Sequence, residues 1–506
     1  MDKNRIAEIT IEDKLDDGRA FGRCDGLAVF VRGGCSGADG MLYKGAVSGD
    51  VARVEITKVK KNSAEAVLKE IVSPSPERIK AECPYFGECG GCTMQELSYD
   101  AQLSLKQDQV KSKLERLGGL DNPKVCEIIV AHSLKYYRNK ATFAVGPHGE
   151  VGFMKGKSHF VMDIEDCMLQ TDAAMVCADA LRHFLYSLAG HGLAGSLIRQ
   201  MTVRTAFSTG EVMVVLEGDK KEIPGIEKLI EMLDDAVYSL SVDEEGEEAE
   251  GGTFYSLESV ALVYGANPKK GQFGKCIILA GKPTITDEFA GEGGRAVSYE
   301  ISPQSFMQVN PEQLPKLYDK VAEYADLKGG ETVLDLYCGA GTIGIWLLDE
   351  LRGRDEGAFS GTQVIGIESV KPAVIDANRN SVINGLVGTR YIAGKAEEEL
   401  PGMMGLAKLY KWNEVNERVE REPEIRIDKV DVAVLDPPRA GCDEKLLEAV
   451  VKAGPDRIVY VSCDPGTLAR DIKFLAVHGY EFIEATPVDQ FIWTSHIEVV
   501  AKIQRR

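Results

Sequence analysis

From Ile301 onward the chain repeats one pattern that few architectures satisfy: an apolar β-branched run, a tight turn, then a helical segment. ETVLDLYCGAGTIGIWLL, VIGIESVKPAVIDANRN and VDVAVLDPPRAGCDEKLLEAV follow it in turn, and IVYVSCDPGTLARD is the last. Strands that are apolar throughout are buried on both faces, and intervening helices are what cover them. The pattern predicts a doubly wound, Rossmann-like α/β domain over residues 297–506, closed by the strand-like FIEATPVDQ and HIEVVAKI. Ligands of such sheets bind outside the carboxyl ends of the strands, so the residues that end each run are the candidates for chemistry.

Four of these ends carry reactive or ligand-binding groups. Gly339, Gly341 and Gly344 form G-x-G-x-x-G after VLDLY, and Glu368 ends the next run, which suits a nucleoside cofactor whose ribose hydroxyls meet a carboxylate. NAD is the usual inference from such spacing. Asp335 and the loop beginning Tyr337-Cys338 look more like the first motif of S-adenosylmethionine-dependent methyltransferases. In LDPPR, Leu435 to Arg439, two prolines cannot extend a ladder, so Asp436 is expected at the cofactor edge. Cys463 ends the fourth run just before Pro465 and Gly466; in isolation it reads as a small buried hydrophobe, and in this place as a nucleophile. Glu498 begins the closing strand, with His496 expected on the same face, and a carboxylate there can act as a general base.

The remaining chain reads as two β-rich modules. A length of 506 residues predicts two to four domains, and neither a long apolar run nor a signal peptide is evident, which predicts a cytoplasmic protein without membrane contact. The net charge of -20 argues against a protein that coats nucleic acid, although part of it sits in one run, Asp243 to Glu250. Residues 1–75 alternate apolar and polar positions between glycines, as in a small barrel, with Arg53, Lys58, Lys60 and Lys61 available to phosphates. Residues 76–296 form the central module, mainly of strands, with hairpins turning at Gly146 to Gly149 and at Thr209-Gly210 and with Arg138 and Lys140 as candidate RNA contacts. Tyr99 to Gly118 is expected to be a helix that buries Leu103, Val110, Leu114 and Leu117 and exposes Lys106, Lys111, Lys113 and Arg116. The stretches near 353 and from Lys408 to Asp428 read as surface insertions.

CPYFGECGGC places Cys83, Cys89 and Cys92 at C-x5-C-x2-C spacing, with two glycines that permit a tight approach to one centre. Twelve cysteines without a secretion signal favour metal binding or catalysis over disulfides. The fourth thiolate is expected from Cys167, ahead of Cys126 and Cys177. An iron-sulfur cluster and structural zinc fit this spacing equally well.

Two resemblances organise these features. LDDGRAFGRCDGLAVFV followed by GDVARVEITKVKKNSAEAVLKEI resembles a TRAM domain, a small RNA-binding, OB-type barrel. CPYFGECGGC, SFMQVN, DLYCGAGTIG, LDPPR, VSCDPGTLARD and HIE occur in the order found in TrmA/RumA-type RNA 5-methyluridine methyltransferases. That resemblance implies Cys463 as nucleophile, Glu498 as base, and Gln308, Tyr337, Thr342, Glu368 and Asp436 as contacts of S-adenosylmethionine. It also implies a 4Fe-4S cluster on Cys83, Cys89, Cys92 and Cys167, with zinc as runner-up. The substrate it implies is a uridine of 23S ribosomal RNA, with tRNA as runner-up and no obligate protein partner. A noncatalytic RNA-binding ribosome-assembly factor and a dehydrogenase are the rivals. The family often has Asn-Pro-Ala after its cysteine, whereas this chain has Asp464-Pro465-Gly466, and a carboxylate beside the thiolate is expected to oppose ionisation.

Overall fold

The computed structural model describes residues 2–15, 18–36, 42–189, 197–242, 254–266, 274–291, 295–412 and 418–506; the acidic run Asp243 to Glu250 lies outside them. Two compact units emerge: Met1–Gln109 with Gly152–Met168 and Phe491–Ile497, and Val110–Val151 with Leu169–Gln490 and Glu498–Arg506. No helix among the described residues is long and apolar enough to cross a membrane.

In the first unit, β1 (Ile6–Lys14), β2 (Ala20–Cys24), β3 (Leu27–Arg32), β6 (Val51–Val59) and β7 (Ser63–Ser73) close into a barrel in the order β1-β2-β3-β7-β6. Alternation builds it: Ala7, Ile9 and Ile11 of β1 and Ala52, Val54 and Ile56 of β6 are buried, so one face of each strand fills the interior. Ala7, Ile9, Ile11, Val54, Ile56 and Leu68 are among those that form the core. The basic residues read as phosphate candidates are partly spent on neighbouring carboxylates, Arg53 on Glu70 and Lys60 on Glu65 at 2.7 Å. A two-stranded ladder of β4 (Cys35–Ser36) and β5 (Leu42–Tyr43) and the antiparallel pair β9 (Val151–Met154) and β10 (Val161–Asp163) complete the strands of this unit. The helix Tyr99–Arg116 begins here, and it corrects the expected basic face. Lys106 is buried and donates from Nζ to the Phe491 carbonyl at 3.1 Å, while Leu117 is 52% exposed just past the helix end.

In the second unit, β8 (Lys140–Val145), β11 (Gln200–Thr205), β12 (Glu211–Gly218), β13 (Ser256–Tyr264) and β14 (Lys275–Gly281) pair in that order. Both expected turns are present: Gly149 donates to the Gly146 carbonyl at 3.2 Å, and Gly210 carries the positive φ that closes β11 onto β12. The expectation of a mainly stranded module misses two helices, Asp172–Ala189 and Ile226–Tyr238, whose apolar stripes are spaced for burial on this sheet.

A hairpin of β15 (Ile285–Ala290) and β16 (Ala296–Ile301) leads to the α/β domain, whose core is continuous with that of the preceding sheet. There, β17 (Thr332–Leu336), β18 (Gln363–Glu368), β19 (Thr389–Ala393), β22 (Val432–Leu435), β23 (Arg457–Ser462), β24 (Tyr480–Val488) and β25 (Glu498–Arg505) form one sheet, ordered β19-β18-β17-β22-β23-β25-β24. The first five are parallel and β25 runs antiparallel to both its neighbours. The order reverses between β17 and β22, which makes the crevice past Leu336 and Leu435 the expected ligand site of such a sheet. The presumed insertion near 353 is the end of one helix, Thr342–Arg354, and a short second one, Glu356–Phe359, which buries Phe359. The stretch after Lys408 contains a pair of short strands, β20 (Leu409–Trp412) and β21 (Arg418–Arg421).

Candidate active site

The cofactor edge is built where β17 and β22 part. Tyr337 follows β17 with φ 64°, an uncommon conformation for a side chain of this size, and Gly339 and Gly341 turn with φ 55° and 75° before the helix Thr342–Arg354 starts. A Cβ at Gly339 meets nothing within 4 Å, so the loop is open on that side; one at Gly341 would collide with Tyr391 at 2.7 Å. Glu368, at the end of β18, accepts from Gly339 N–H at 3.2 Å and Val370 N–H at 2.7 Å, which fixes its carboxylate against the loop. Asp335 is fully buried; one oxygen accepts from Gly344 N–H at 3.0 Å and the other has no partner. Burial, with the Glu368 charge adding to it, pushes the Asp335 carboxyl up to about 7. Asp436 is raised to about 7 as well, by burial and then by Asp335, and its N–H donates to the Leu336 carbonyl at 3.2 Å.

Thr342 is the expected contact that turns inward. Its hydroxyl pairs with the Tyr318 phenol at 2.8 Å, and its carbonyl accepts from Tyr299 at 2.9 Å. The buried Tyr318 phenol is pushed well above its usual range by burial, with the charges of Asp436, Asp335 and Glu498 behind it, so it stands among the acidic groups of this edge. Gln308 is buried, and its carbonyl accepts from the Asn139 amide at 3.1 Å. An open glycine loop flanked by buried Asp335 and the partly buried Glu368 and Asp436 fits a nucleoside cofactor that carries positive charge.

Cys463 and Glu498 are brought together by register. Ser462, the last residue of β23, faces Val499 of β25, so the next antiparallel pair outward is Cys463 with Glu498. Cys463 is half-buried and Glu498 is buried. Burial first, then the Glu498 and Asp436 carboxylates, pushes the thiol up to about 11, while Arg439 pulls it down. Glu498 is raised well above the usual carboxylate range by burial and by Asp436, again against Arg439. Arg439 is thus a cation that acts on both Cys463 and Glu498. In the sequence it stands only as the end of LDPPR, and the signal that points to it is a charge placed just past two prolines.

Two expectations are corrected here. Asp464 does not stand against the thiol: its side chain caps the helix Pro465–Val477, accepting from Gly466 N–H at 2.7 Å and Thr467 N–H at 3.1 Å. The opposing charges come from Glu498 and Asp436 instead. The alternation that put His496 on the face of Glu498 also fails, because β25 begins at Glu498; the His496 ring meets Phe491 edge-on at 6.3 Å.

The cysteine segment is built separately, in the first unit. Among the described residues no three His, Cys, Asp or Glu side chains form a group ready to hold a metal ion. The four expected thiols are nevertheless near enough to act on one another: burial pushes Cys92 up to about 12, and Cys167, Cys89 and Cys83 add to that shift. Gly91 N–H reaches the Cys89 sulfur at 3.4 Å, Cys83 N–H donates to Gln95 Oε1 at 3.2 Å, and a hydrogen bond from the Gln95 side chain to Cys92 works against the burial shift. Four thiols with N–H donors around them fit a sulfur-ligated centre in kind and number. The two lesser candidates are engaged or buried elsewhere: Cys126 donates to Glu484 at 3.3 Å, and Cys177 is raised to about 12 by burial alone.

Comparison with known proteins agrees with this architecture. Residues 3–69 match the TRAM domain, and residues 274–506 match the family described as tRNA (uracil-5-)-methyltransferase. An uncharacterised RNA methyltransferase of Caldanaerobacter subterraneus subsp. tengcongensis is 37% identical across 100% of both chains. Another from Halalkalibacterium halodurans is 35% identical over 100% of this chain and 98% of its own. The crystal structure of Pyrococcus abyssi tRNA (uracil-54, C5)-methyltransferase in complex with S-adenosyl-L-homocysteine shares the fold, with a TM-score of 0.66 and 24% identity over 98% of this chain and 100% of that one. With Rossmann geometry alone no longer the guide to the cofactor, NAD and the dehydrogenase reading fall away. The chain belongs to the family of RNA methyltransferases that join a TRAM domain to a tRNA (uracil-5-)-methyltransferase domain.

Proposed function

We propose that the protein methylates carbon 5 of a specific uridine in 23S ribosomal RNA through a covalent cysteine-uracil intermediate. The observation that supports it most is the register that sets Cys463 opposite Glu498 beside the edge lined by Asp436 and Tyr337. Carbon 5 of uracil is a poor nucleophile until a thiolate adds to carbon 6. Cys463 forms that bond, and the displaced electron pair makes carbon 5 nucleophilic. S-adenosylmethionine, when bound, supplies the electrophilic methyl group. Glu498 then takes the proton from carbon 5, and the pair left behind expels Cys463 from carbon 6 as a thiolate. Arg439 favours the charged forms of both groups, and Asp436, Glu368, Tyr337, Gln308 and the first turn at Thr342 hold the cofactor. The target base has to leave its stack to reach a half-buried thiol, which suits a loop or single strand in the cytoplasm.

The choice of ribosomal RNA rests on the family resemblance that pairs a barrel, residues 1–75, and a cluster-bearing module, residues 76–296, with the catalytic module, residues 297–506. Cys83, Cys89, Cys92 and Cys167 would hold a 4Fe-4S cluster, which supplies a rigid sulfur-ligated centre and no electrons, since methyl transfer to carbon 5 is electron-neutral; zinc is the alternative occupant. A tRNA substrate is the second reading, favoured by the tRNA enzyme that shares the fold. Incubation with 5-fluorouridine-containing 23S fragments or tRNA, with S-adenosylmethionine, decides between them. Fluorine cannot leave as a proton does, so the true substrate gives a denaturation-resistant protein-RNA band that Cys463→Ala abolishes. A band with tRNA alone moves the substrate, and no band with either RNA from folded, cofactor-bound protein ends the covalent reading.

A further inference from the structure

The residues that join the catalytic strands to the Arg439 loop form a hydrogen-bond knot that the reaction itself does not use. Asp471 is 1% exposed, on the helix that starts just after Cys463. Its Oδ2 accepts from the Tyr460 hydroxyl at 2.6 Å and from Cys442 N–H at 2.9 Å, and its Oδ1 accepts from Arg470 Nε at 2.7 Å. Arg470 returns to the same loop, donating from Nη2 to the Cys442 carbonyl at 3.1 Å. Thr467, on the same helix, donates to the Arg439 carbonyl at 3.4 Å. Between these anchors Gly441 turns with φ 75° and donates to the Pro438 carbonyl at 2.8 Å. A Cβ at Gly441 would stand 2.5 Å from Arg470 Nη2 and 2.9 Å from Asp471 Oδ2, so the loop lies directly against the two side chains.

We propose that Asp471, with Arg470, is a positioning residue that clamps the Pro437–Cys442 loop onto the nucleophile's helix and thereby fixes the backbone from which Arg439 acts on Cys463 and Glu498. One carboxylate ties together the strand that delivers the cysteine, through Tyr460, and the loop that delivers the cation, through Cys442. A buried carboxylate that loses these donors, or donors that lose the carboxylate, leaves unpaired polar groups, so the knot has one well-defined geometry. Among the described residues, the charges that act most on the Cys463 thiol are Glu498 from β25 and Asp436 and Arg439 from the loop after β22, and Arg439 is the cation of the three. Its distance therefore sets how readily the thiol ionises.

The inference rests on Cys463 as nucleophile, but its test needs neither RNA nor turnover. Iodoacetamide alkylation of the Cys463 peptide, resolved by mass spectrometry from the other cysteines, is followed against pH in the full-length protein. Arg439→Ala is expected to move the midpoint up by about one pH unit, which is about tenfold slower alkylation at pH 8, and Arg439→Lys to restore most of it. Asp471→Asn is expected to move the midpoint in the same direction by at least half as much, and the double variant to move it no further than Arg439→Ala alone. Gly441→Ala leaves Asp471 in place but crowds the clamp, and gives the same upward shift if Asp471→Asn proves too unstable to purify. A midpoint unchanged in Asp471→Asn and in Gly441→Ala, beside a shift in Arg439→Ala, overturns the clamp. An unchanged midpoint in Arg439→Ala overturns the whole inference, and both results stand apart from the outcome of the 5-fluorouridine assay.

Discussion

Cys92 and Cys463 are both thiols raised by burial, to about 12 and about 11, yet the groups around them differ in kind. Cys92 has other thiols for neighbours, Cys167, Cys89 and Cys83, each of which makes a lone thiolate harder to form. Cys463 has two carboxylates and one guanidinium. The first setting stays protonated until something takes all the sulfurs together, because a metal centre displaces the protons of its ligands at once. The second is adjustable, since each neighbour can gain, lose or screen charge during a reaction. On the proposed reading, the same residue type serves as a ligand or a nucleophile according to whether its neighbours share its acidity or oppose it.

The sharpest way to break the comparison is to remove each thiol. Cys463→Ala should lower methylation by roughly 10^4-fold or more, as losing a nucleophile does, with S-adenosylhomocysteine binding retained by calorimetry. Glu498→Gln should slow turnover by about 10^2- to 10^4-fold, the usual span for a lost general base, while a covalent RNA adduct accumulates with ordinary uridine because carbon 5 keeps its proton. If the adduct fails to accumulate, the base lies elsewhere. Cys92→Ser should abolish iron content and visible absorbance in anaerobically prepared protein and lower its melting temperature. The alkylation profile of Cys463 should not move in that variant; a shifted profile would mean that the two cysteine settings are not independent.

Two smaller effects refine the acidic side of the comparison. Burial holds Asp436 and Asp335 up to about 7, so both lose protons only as pH rises through that value. Their folded-state pKa lies above the unfolded one, so they favour the fold at acid pH and that contribution is lost as pH climbs toward 7. The cationic cofactor reverses the preference, and its affinity should fall as pH drops below about 7, by at most about tenfold per unit for each proton involved. Asp436→Asn should flatten that dependence in titrations between pH 5.5 and 8. Smallest of all, Asp464→Asn should leave the Cys463 midpoint in place, since asparagine caps helices as well as aspartate does, whereas Asp464→Ala should cost about 1 kcal/mol of stability. A midpoint that falls in Asp464→Asn would restore the direct opposition read from sequence.

The candidate groups past β22 and β23 are legible because each stands at a strand end, where a β-branched run stops against glycine or proline. Asp436 and Cys463 announce themselves that way, and the barrel does so through its two-residue alternation. What was not legible depends on long-range partners. Lys106 reads as a solvated lysine until a carbonyl more than three hundred positions away supplies its acceptor. Arg439 reads as the tail of a motif until the loop folds back on the helix of Cys463. Asp464 was judged by its nearness to Cys463 in the chain, but side chains answer to donors in space, and two helix N–H groups claim it. The helices Asp172–Ala189 and Ile226–Tyr238 were masked by the strong hairpin signals that flank them.

The antiparallel β25 lies inside its sheet, between β23 and β24, although it is made after every other strand of that sheet. A growing chain that has already produced β23 therefore has Cys463 but neither Glu498 nor the strand that sets its register. Domains form from the N-terminal side as they are synthesised. Until β25 slots in, Cys463 lacks the strand whose register sets Glu498 opposite it, so the pair is completed in one step after β24 is made.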